Sequence, residues 1–350
     1  MTATAPGPSR RPTLSDVARR AGVSPMSVSR SLRGDTGVSA ATRARVLEAV
    51  DELGYRPNDS ARSLKLGRGS DLIGVVVTHF SNPFYSRLAL GVEEVIEKRG
   101  KRVILGNTEE DPDRERELVQ NLLERRVDGI VVVPSSYDHS HMNEPAMRGT
   151  PVVLAGRPPV GLDADCVLVD DFGGAHEVTR RLLAEGHRRI AFIGTPPAAY
   201  TGAERYRGYC AALDEQGVRV TSRYVDRSGT DTVTAEAAAA RMLRLSTPPT
   251  AIFAANNRLA LGVLRAIGSR DQIGFAAFDD LEYASLLDRS MTYVSFDAEQ
   301  MGRGAGELLL RRLDERSAGG EERAERPASR VVVHVDVVTQ HARSREPRQD

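Results

Sequence analysis

Apolar residues recur at two different spacings along this chain of 350 residues, and the change of spacing falls near residue 70. Between residues 13 and 54 they recur every three or four positions, as they do on one face of an α-helix. From residue 72 onward they form short runs rich in Val, Ile and Leu, which are typical of strands buried on both faces. The pattern therefore predicts a small helical head followed by a larger α/β body.

The head contains three predicted helices with clear start and stop signals. Thr13 is expected to cap the first helix, which ends at Gly22. Ser24 caps the second helix, with Pro25 at its first position, and Ser39 caps the third. Two short helices joined by a turn of about three residues form a helix-turn-helix, whose second helix reads DNA. The alternative is a generic helical bundle with a solvated basic face.

The body alternates strands with amphipathic helices in two successive groups. The first group has predicted strands at 72–77, 103–106, 129–133 and 152–155, with helices at 84–99 and 114–126. The second has strands at 190–193, 251–254 and 273–278, with helices at 173–185, 205–216, 232–245, 256–267 and 298–313. A last strand is predicted at 331–338, after a charged surface loop at 315–330. This alternation indicates two lobes with parallel sheets, and ligands bind such lobes at the carboxyl ends of the strands.

The distribution of charge separates the head from the body. The formal net charge of the chain is +0, but residues 1–68 hold 12 Lys and Arg against 6 Asp and Glu. The remainder holds 36 basic residues against 42 acidic ones. A compact basic head on an acidic body indicates a polyanionic partner for the head alone.

Several classes of protein are disfavoured. No apolar run approaches the roughly 20 residues of a membrane span, and residues 1–11 lack an apolar signal-peptide core, so that they predict a disordered arm. Cys166 and Cys210 show neither metal spacing nor a disulfide framework, which favours a reduced, cytoplasmic setting. His139 and His141 have no third metal ligand nearby. No catalytic constellation is recognisable, and the sequence predicts no enzyme, no metal site and no cofactor.

Specific motifs occur in both parts of the chain. The head contains TLSDVARRAGVS at 13–24, LGYRPN at 53–58 and ARSLK at 61–65. The body contains NPFY at 82–85, RVDG at 126–129 and GHRRI at 186–190. With these motifs the head resembles that of the LacI/GalR transcriptional repressors. The body resembles the effector-binding core of that family, which is itself similar to periplasmic sugar-binding proteins.

The resemblance implies a homodimeric, ligand-responsive repressor of sugar or related catabolic genes that binds a palindromic operator in double-stranded DNA. The first residues of the second helix would read the major groove. Residues 57–69 would form a hinge whose helix pairs with its copy on DNA and inserts Leu64 into the minor groove. The DNA-binding residues implied are Thr13, Ser24, Pro25, Met26, Ser27, Ser29, Arg30, Asn58, Ala61, Arg62, Leu64 and Lys65.

The resemblance also implies an effector site in the cleft between the lobes. Arg205 would form forked hydrogen bonds with ligand hydroxyls or a carboxylate, although a surface position on its helix is the alternative. Asn256 could bind the ligand, cap a helix, or do both. Phe296 replaces a Gln of some members, and Gly156 an Asp, so the identity of the sugar or derivative stays open. The effector-binding residues implied are Asn82, Phe84, Arg157, Arg205, Asn256, Asp279 and Phe296.

The chain is thus expected to comprise an arm at 1–11, a head at 12–56, a hinge at 57–69, a body at 70–340 and a tail at 341–350. The tail shows no heptads, so a C-terminal coiled coil is not expected. The alternative function is a cytoplasmic sugar or nucleoside sensor whose head lacks specific DNA binding. Whether the effector induces or co-represses is left open by the sequence.

Overall fold

A computed structural model of the chain describes residues 12–33, 35–56, 69–135, 137–281, 284–317 and 327–341. The chain forms two compact units, with the boundary between Ser70 and Asp71. The first unit corresponds to the predicted head, and the second contains both lobes of the predicted body.

Three helices make up the described part of the first unit: α1 (Leu14–Ala21), α2 (Pro25–Leu32) and α3 (Ala40–Leu53). They enclose a small core of buried apolar side chains, namely Val17, Ala18, Ala21, Val28, Val46 and Ala49. These are the inward positions of the helical pattern in the sequence. The predicted helix-turn-helix is confirmed.

Local hydrogen bonds determine where α1 and α2 begin. Thr13 caps α1, and its Oγ1 and its backbone N–H donate to the Asp16 carboxylate at 2.6 and 2.9 Å. Ser24 caps α2, because its Oγ accepts from the Ser27 N–H at 3.1 Å. Gly22 lies between the helices at a φ of 63°, in the left-handed region that glycine adopts without a steric penalty. The turn of the motif therefore follows directly from short-range sequence signals.

The second unit is an α/β structure. Its strands are β1 (Leu72–Val77), β2 (Arg102–Asn107), β3 (Gly129–Val132), β4 (Val152–Ala155), β5 (Asp165–Val169), β6 (Ile190–Ile193), β7 (Val225–Asp226), β8 (Ala251–Ala254), β9 (Gly274–Phe278), β10 (Met291–Ser295), β11 (Arg330–Val333) and β12 (Asp336–Gln340). Its α-helices are α4 (Pro83–Glu97), α5 (Pro112–Glu124), α6 (Glu144–Met147), α7 (Asp171–Ala184), α8 (Tyr200–Glu215), α9 (Thr232–Leu243), α10 (Asn257–Ile267) and α11 (Ala298–Ser317). Short 3-10 turns occur at Ser140–Met142, Ser222–Tyr224 and Ala284–Leu286.

The strands form two sheets of six, one in each lobe. The order in the first lobe is β11-β5-β4-β3-β1-β2, and every pair is parallel. The order in the second lobe is β12-β10-β9-β8-β6-β7, in which β12 alone runs antiparallel, against β10. The predicted two-lobed architecture with parallel sheets is confirmed.

The predicted single strand at 331–338 is wrong. The chain leaves the first lobe after β11, crosses at His334 and Val335, and enters the second lobe as β12. Because valines continue through the crossing, the apolar pattern gives no sign of a break. The charged loop predicted at 315–330 also begins too early, since α11 continues to Ser317.

Within each lobe, neighbouring helices approach one another closely at glycines. A Cβ at Gly302 on α11 would overlap the Leu88 carbonyl oxygen on α4. In the second lobe, a Cβ at Gly208 on α8 would overlap the Phe172 carbonyl oxygen on α7, and Gly262 on α10 meets α9 in the same way. Each of these helix pairs therefore packs backbone against backbone, at a separation that no larger residue permits.

We expect Gly302→Ala to lower the free energy of unfolding of the second unit by about 1–3 kcal/mol, because the added methyl group forces α4 away from α11. Urea unfolding followed by tyrosine fluorescence measures the change. Gly304→Ala on the same helix is the matched control, since its new Cβ would lie 3.7 Å from a Val167 methyl group, an ordinary contact. Equal stability of the two variants would contradict the close helix contact.

Candidate functional site

Helix α2 presents the residues predicted to read DNA. Pro25, Met26 and Arg30 are exposed, while Ser27 and Ser29 are half-buried. Met26 is a large apolar side chain that is 66% exposed. Such a side chain can contact a thymine methyl group in the major groove.

Some of the residues predicted to bind DNA also make contacts within the head. Thr13 and Ser24 use their side-chain oxygens as helix caps. Arg30 lies 3.6 Å from the Asp35 carboxylate, an exposed ion pair of little energetic weight that a phosphate can replace. The hinge residues Asn58, Ala61, Arg62, Leu64 and Lys65 lie outside the described residues.

In the second unit, contacts between the lobes join the two sheets near the carboxyl ends of their strands. Asn82 follows β1 in the first lobe, and its Oδ1 accepts from Asn257 Nδ2 of the second lobe at 2.8 Å. The ring of Phe84, next to it, packs edge-on against Phe296, which follows β10, with centroids 5.7 Å apart. These contacts define an interlobe cleft lined by residues that follow strands.

Arg205 lies at the centre of the second-lobe side of the cleft. It is 7% exposed and therefore not a surface helix residue. Its Nε donates to Asp171 Oδ1 at 2.7 Å and its Nη1 to the Ala255 carbonyl oxygen at 2.6 Å, while its Nη2 lies 3.6 Å from Asp279 Oδ1. The guanidinium also stacks over the ring of Phe278, 3.6 Å from its centroid. All three guanidinium nitrogens thus face oxygen atoms of the protein.

Two buried carboxylates share this one guanidinium. Burial raises the pKa of the Asp171 carboxyl to about 6, although the charge of Arg205 opposes the shift. Burial also raises the pKa of the Asp279 carboxyl, again against the effect of Arg205. Asp279 adopts a φ of 72°, uncommon outside glycine, and accepts from the Asn257 N–H at 3.3 Å. The second-lobe wall of the cleft therefore carries an excess of negative charge.

The first-lobe wall contributes a charged pair. Arg157 is 8% exposed, and its Nη2 donates to both carboxylate oxygens of Glu110 at 2.9 Å. Arg157 is therefore already neutralised by the Glu110 carboxylate. Near this pair, burial lowers the pKa of the His79 imidazole, and the charge of Arg258 lowers it further.

The two neighbouring asparagines after β8, of which Asn256 alone was predicted to bind the effector, have different roles. Asn256 Oδ1 accepts from the Leu259 N–H at 2.8 Å and caps α10. Asn257 reaches across the cleft to Asn82. Sequence reasoning named Asn256 and missed Asn257, because adjacent identical residues give no sign of which side chain turns toward the other lobe.

Four buried acceptor oxygens at or beyond the carboxyl ends of strands lack hydrogen-bond partners among the described residues. They are Asn107 Oδ1 at the end of β2, Asp171 Oδ2 after β5, Thr195 Oγ1 after β6 and Asn257 Oδ1 after β8. An unpaired buried polar group costs about 1–3 kcal/mol. Two of these oxygens belong to cleft residues, Asp171 beside Arg205 and Asn257 beside Asn82, and are available to a ligand that donates hydrogen bonds. None of these residues is among the effector-binding residues predicted from the sequence. Asn107 directly follows the predicted strand at 103–106, which was a usable signal, whereas β5, which precedes Asp171, was not predicted.

The histidines considered as metal ligands are used otherwise. His139 Nδ1 accepts from the Val160 N–H at 3.1 Å, and His141 Nε2 lies 3.1 Å from the buried Glu115 carboxylate. In the described part of the chain, no three His, Cys, Asp or Glu side chains are grouped to hold a metal ion. Nor does that part contain a helix of the length and apolarity that crossing a membrane requires.

Comparison with known proteins covers most of the chain. Residues 13–58 match the family model described as bacterial regulatory proteins, lacI family, and residues 70–332 match that of periplasmic binding proteins and the sugar binding domain of the LacI family. Catabolite control protein A of Priestia megaterium is 31% identical over 308 residues, 86% of this chain and 92% of that protein. The regulator CelR of Thermobifida fusca is 35% identical over 317 residues, 87% of this chain and 92% of that protein.

Solved structures agree with this result. A complex of the transcriptional regulator CelR with cellobiose has a TM-score of 0.68 and 30% identity, and covers 95% of this chain and all of that one. The Lac repressor dimer bound to operator and an anti-inducer has a TM-score of 0.76 at 24% identity, and covers 94% of this chain and 98% of that one. At that identity the second similarity supports the fold alone.

A helix-turn-helix followed by a two-lobed core with a polar cleft defines a ligand-responsive, DNA-binding transcriptional regulator. The chain belongs to the LacI family of bacterial regulatory proteins.

The raised pKa of Asp171 has a consequence for stability. Its folded-state pKa of about 6 exceeds the ordinary value of about 3.9, so the folded protein keeps a proton that the unfolded chain releases. Stability contributed by this group is therefore lost as the pH rises from about 4 to about 6. We expect the unfolding free energy of the wild type, minus that of Asp171→Asn, to decrease over this range in urea titrations. A difference that increased with pH would contradict a raised pKa for the buried Asp171 carboxyl.

Proposed function

We propose that the chain is a homodimeric, cytoplasmic, non-enzymatic repressor whose cleft binds an uncharged, hydroxyl-rich effector, a sugar or close derivative, which alters operator affinity. The supporting observation is the set of unpaired buried acceptors at Asn107, Asp171, Thr195 and Asn257. Each sugar hydroxyl can donate a hydrogen bond to such an oxygen. With such an effector bound, fewer buried polar groups of the cleft would be unpaired.

The charges of the cleft favour a neutral effector over a phosphorylated or acidic one. Arg205 faces Asp171, Asp279 and a carbonyl oxygen, and Arg157 is paired with Glu110. An anionic ligand would have to displace these carboxylates from their partners or lie beside an excess of negative charge. The rings of Phe84 and Phe296 supply an apolar wall against which the faces of a sugar ring can pack.

Ligands of related proteins are consistent with this proposal. The CelR structure contains cellobiose, and a LacI-family regulator of Enterococcus faecium was solved with ribose. The ribose operon repressor of Escherichia coli is 34% identical over 310 residues. For the present chain, we propose a ligand-contacting set consisting of Asn82, Phe84, Arg205, Asp279 and Phe296, extended by Asp171 and Asn257, with Arg157 at the first-lobe wall.

The proposed route of control passes through the contacts between the lobes. A ligand can shift an equilibrium only if it binds the alternative states with different affinity. The Asn82–Asn257 hydrogen bond and the Phe84–Phe296 contact exist only at one relative placement of the lobes, so a ligand that inserts between them selects a placement. We propose that this choice sets the spacing of two hinges at 57–69, between the head at 12–56 and the body at 70–340. A helix this short is marginal in water and can form or melt.

The DNA-reading role proposed for α2 rests on its exposed face. Pro25, Met26 and Arg30, with Ser27 and Ser29, would contact bases or phosphates of a palindromic operator, and Leu64 would enter the minor groove. The alternative function, a sensor without specific DNA binding, predicts no sequence preference in a gel shift at physiological salt.

A thermal-shift screen of neutral sugars, including cellobiose and ribose, against their phosphorylated counterparts tests the effector class. We expect a neutral sugar to raise the unfolding temperature, and its phosphorylated form not to displace it from the cleft, because the guanidinium groups of the cleft are already paired. A phosphorylated sugar that displaced the neutral one from the cleft would contradict the proposal.

The adjacent asparagines provide a matched pair of variants for that sugar. Asn257→Ala is expected to weaken its binding about threefold to tenfold, as for the loss of one hydrogen bond. Asn256→Ala should lower the unfolding temperature without ligand, through loss of the helix cap, but leave sugar affinity unchanged. If the two variants had the same effect on affinity, the assignment of Asn257 to the site would be wrong.

A further inference from the structure

A group of arginines lines a small cavity at the amino ends of strands β6 and β7 in the second lobe. Arg188 and Arg189 directly precede β6, and Arg219 and Arg223 precede β7. All four are exposed, and they line a cavity of about 110 Å³. Because the effector cleft lies at the carboxyl ends of the strands, this basic pocket at their amino ends is a separate site.

The charges of these arginines are not matched by the protein. Among the described residues, none of the four has a carboxylate partner within ion-pair distance. Other exposed arginines of the same lobe are paired, such as Arg180 with Glu177 at 2.7 Å. In the pocket, four positive charges instead line one cavity, which favours a counter-charge there.

Most of the donor groups of these arginines are available. Arg188 uses Nη1 on the Leu183 carbonyl oxygen and Arg189 uses Nε on that of Pro248, each at 3.0 Å. The Arg223 guanidinium lies 5.2 Å from the Tyr224 ring centroid, a contact that positions it without using its N–H groups. The remaining N–H groups have the forked geometry that binds a phosphate oxygen pair.

The walls of the pocket strengthen its preference for an anion. They include Ile190, Leu213 and Val218 and the rings of Tyr209 and Tyr224. The Tyr209 hydroxyl donates to the Ile190 carbonyl oxygen at 2.9 Å, so that it does not compete for a ligand. Apolar walls lower the local dielectric constant, which increases the attraction between guanidinium groups and an anion. Asp214 and Arg219 both line a neighbouring cavity, and the Asp214 carboxylate would weaken the attraction of the pocket for an anion.

We propose that the basic pocket binds the phosphate group of a small molecule, either free pyrophosphate or a phosphorylated metabolite. Its volume accommodates one or two tetrahedral groups but not a duplex, and its enclosure by side chains differs from the open surface that a nucleic-acid backbone requires. The regulator would then receive two chemically distinct signals, one neutral in the cleft and one anionic in the pocket.

Isothermal titration of the full-length chain with pyrophosphate at fixed ionic strength tests the site. The Arg219→Gln/Arg223→Gln double variant should bind at least about tenfold more weakly, because it loses two charge-assisted contacts. Arg244→Gln, an exposed arginine outside the pocket, is the control and should bind as the wild type does. The basic head is identical in all three proteins, so any binding there cancels in the comparison.

Two results would overturn the proposal. One is unchanged pyrophosphate affinity in the double variant, and the other is an equal loss in Arg244→Gln, which would indicate a general charge effect. Circular dichroism and retained binding of a neutral sugar in the cleft verify that the double variant is folded. Arg219→Lys/Arg223→Lys, which keeps the charges but loses the forked geometry, should bind with intermediate affinity.

Discussion

The contact between Arg205 and its oxygen partners joins parts of the second lobe that are distant in sequence. The guanidinium on α8 meets Asp171 at the beginning of α7, the Ala255 carbonyl oxygen after β8, and Asp279 after β9. Removing Arg205 would leave the buried carboxylates of Asp171 and Asp279 uncompensated, which typically costs about 3–5 kcal/mol. The arrangement therefore fixes the strand ends that form one wall of the cleft, and we propose that its surplus carboxylate and acceptor oxygens determine which ligand that wall binds.

The rest of the second unit holds this wall in position. Glycine contacts place α7 against α8 and α9 against α10 at backbone distance, so the helices that carry Arg205, Asp171 and Asn257 have little freedom to shift. Among the described residues, the two lobes meet in the cleft through the Asn82–Asn257 amide pair and the Phe84–Phe296 rings, and one buried apolar cluster contains both Leu88 of the first lobe and Phe278 of the second. We propose that a ligand between the lobes biases their relative position. The arginines at the far edge of the second lobe belong to the same rigid body.

The sequence was informative wherever the signal was local. Caps at Thr13 and Ser24 and the apolar spacing of α1 to α3 depend on residues a few positions apart. Several buried strands, such as β1 and β3, are evident as runs of Val, Ile and Leu, whereas β5 and β10 were not predicted. Contacts over long sequence separation were not predictable. Asp171 pairs with a residue 34 positions away, and Asn257 with one 175 positions away. The early start of α8 was missed because Ala199 provides no side-chain cap, and the crossing between β11 and β12 because valines continue through it.

The central claim is that the cleft and the operator-reading head are thermodynamically coupled, and reciprocal binding tests it most directly. Sugar affinity is measured by titration on the free chain and on the chain saturated with its operator, and operator affinity is measured with and without the sugar. Coupling requires that the sugar change operator affinity by the same factor as the operator changes sugar affinity, typically about 5-fold to 150-fold. Equal sugar affinity for free and operator-bound protein would contradict the account.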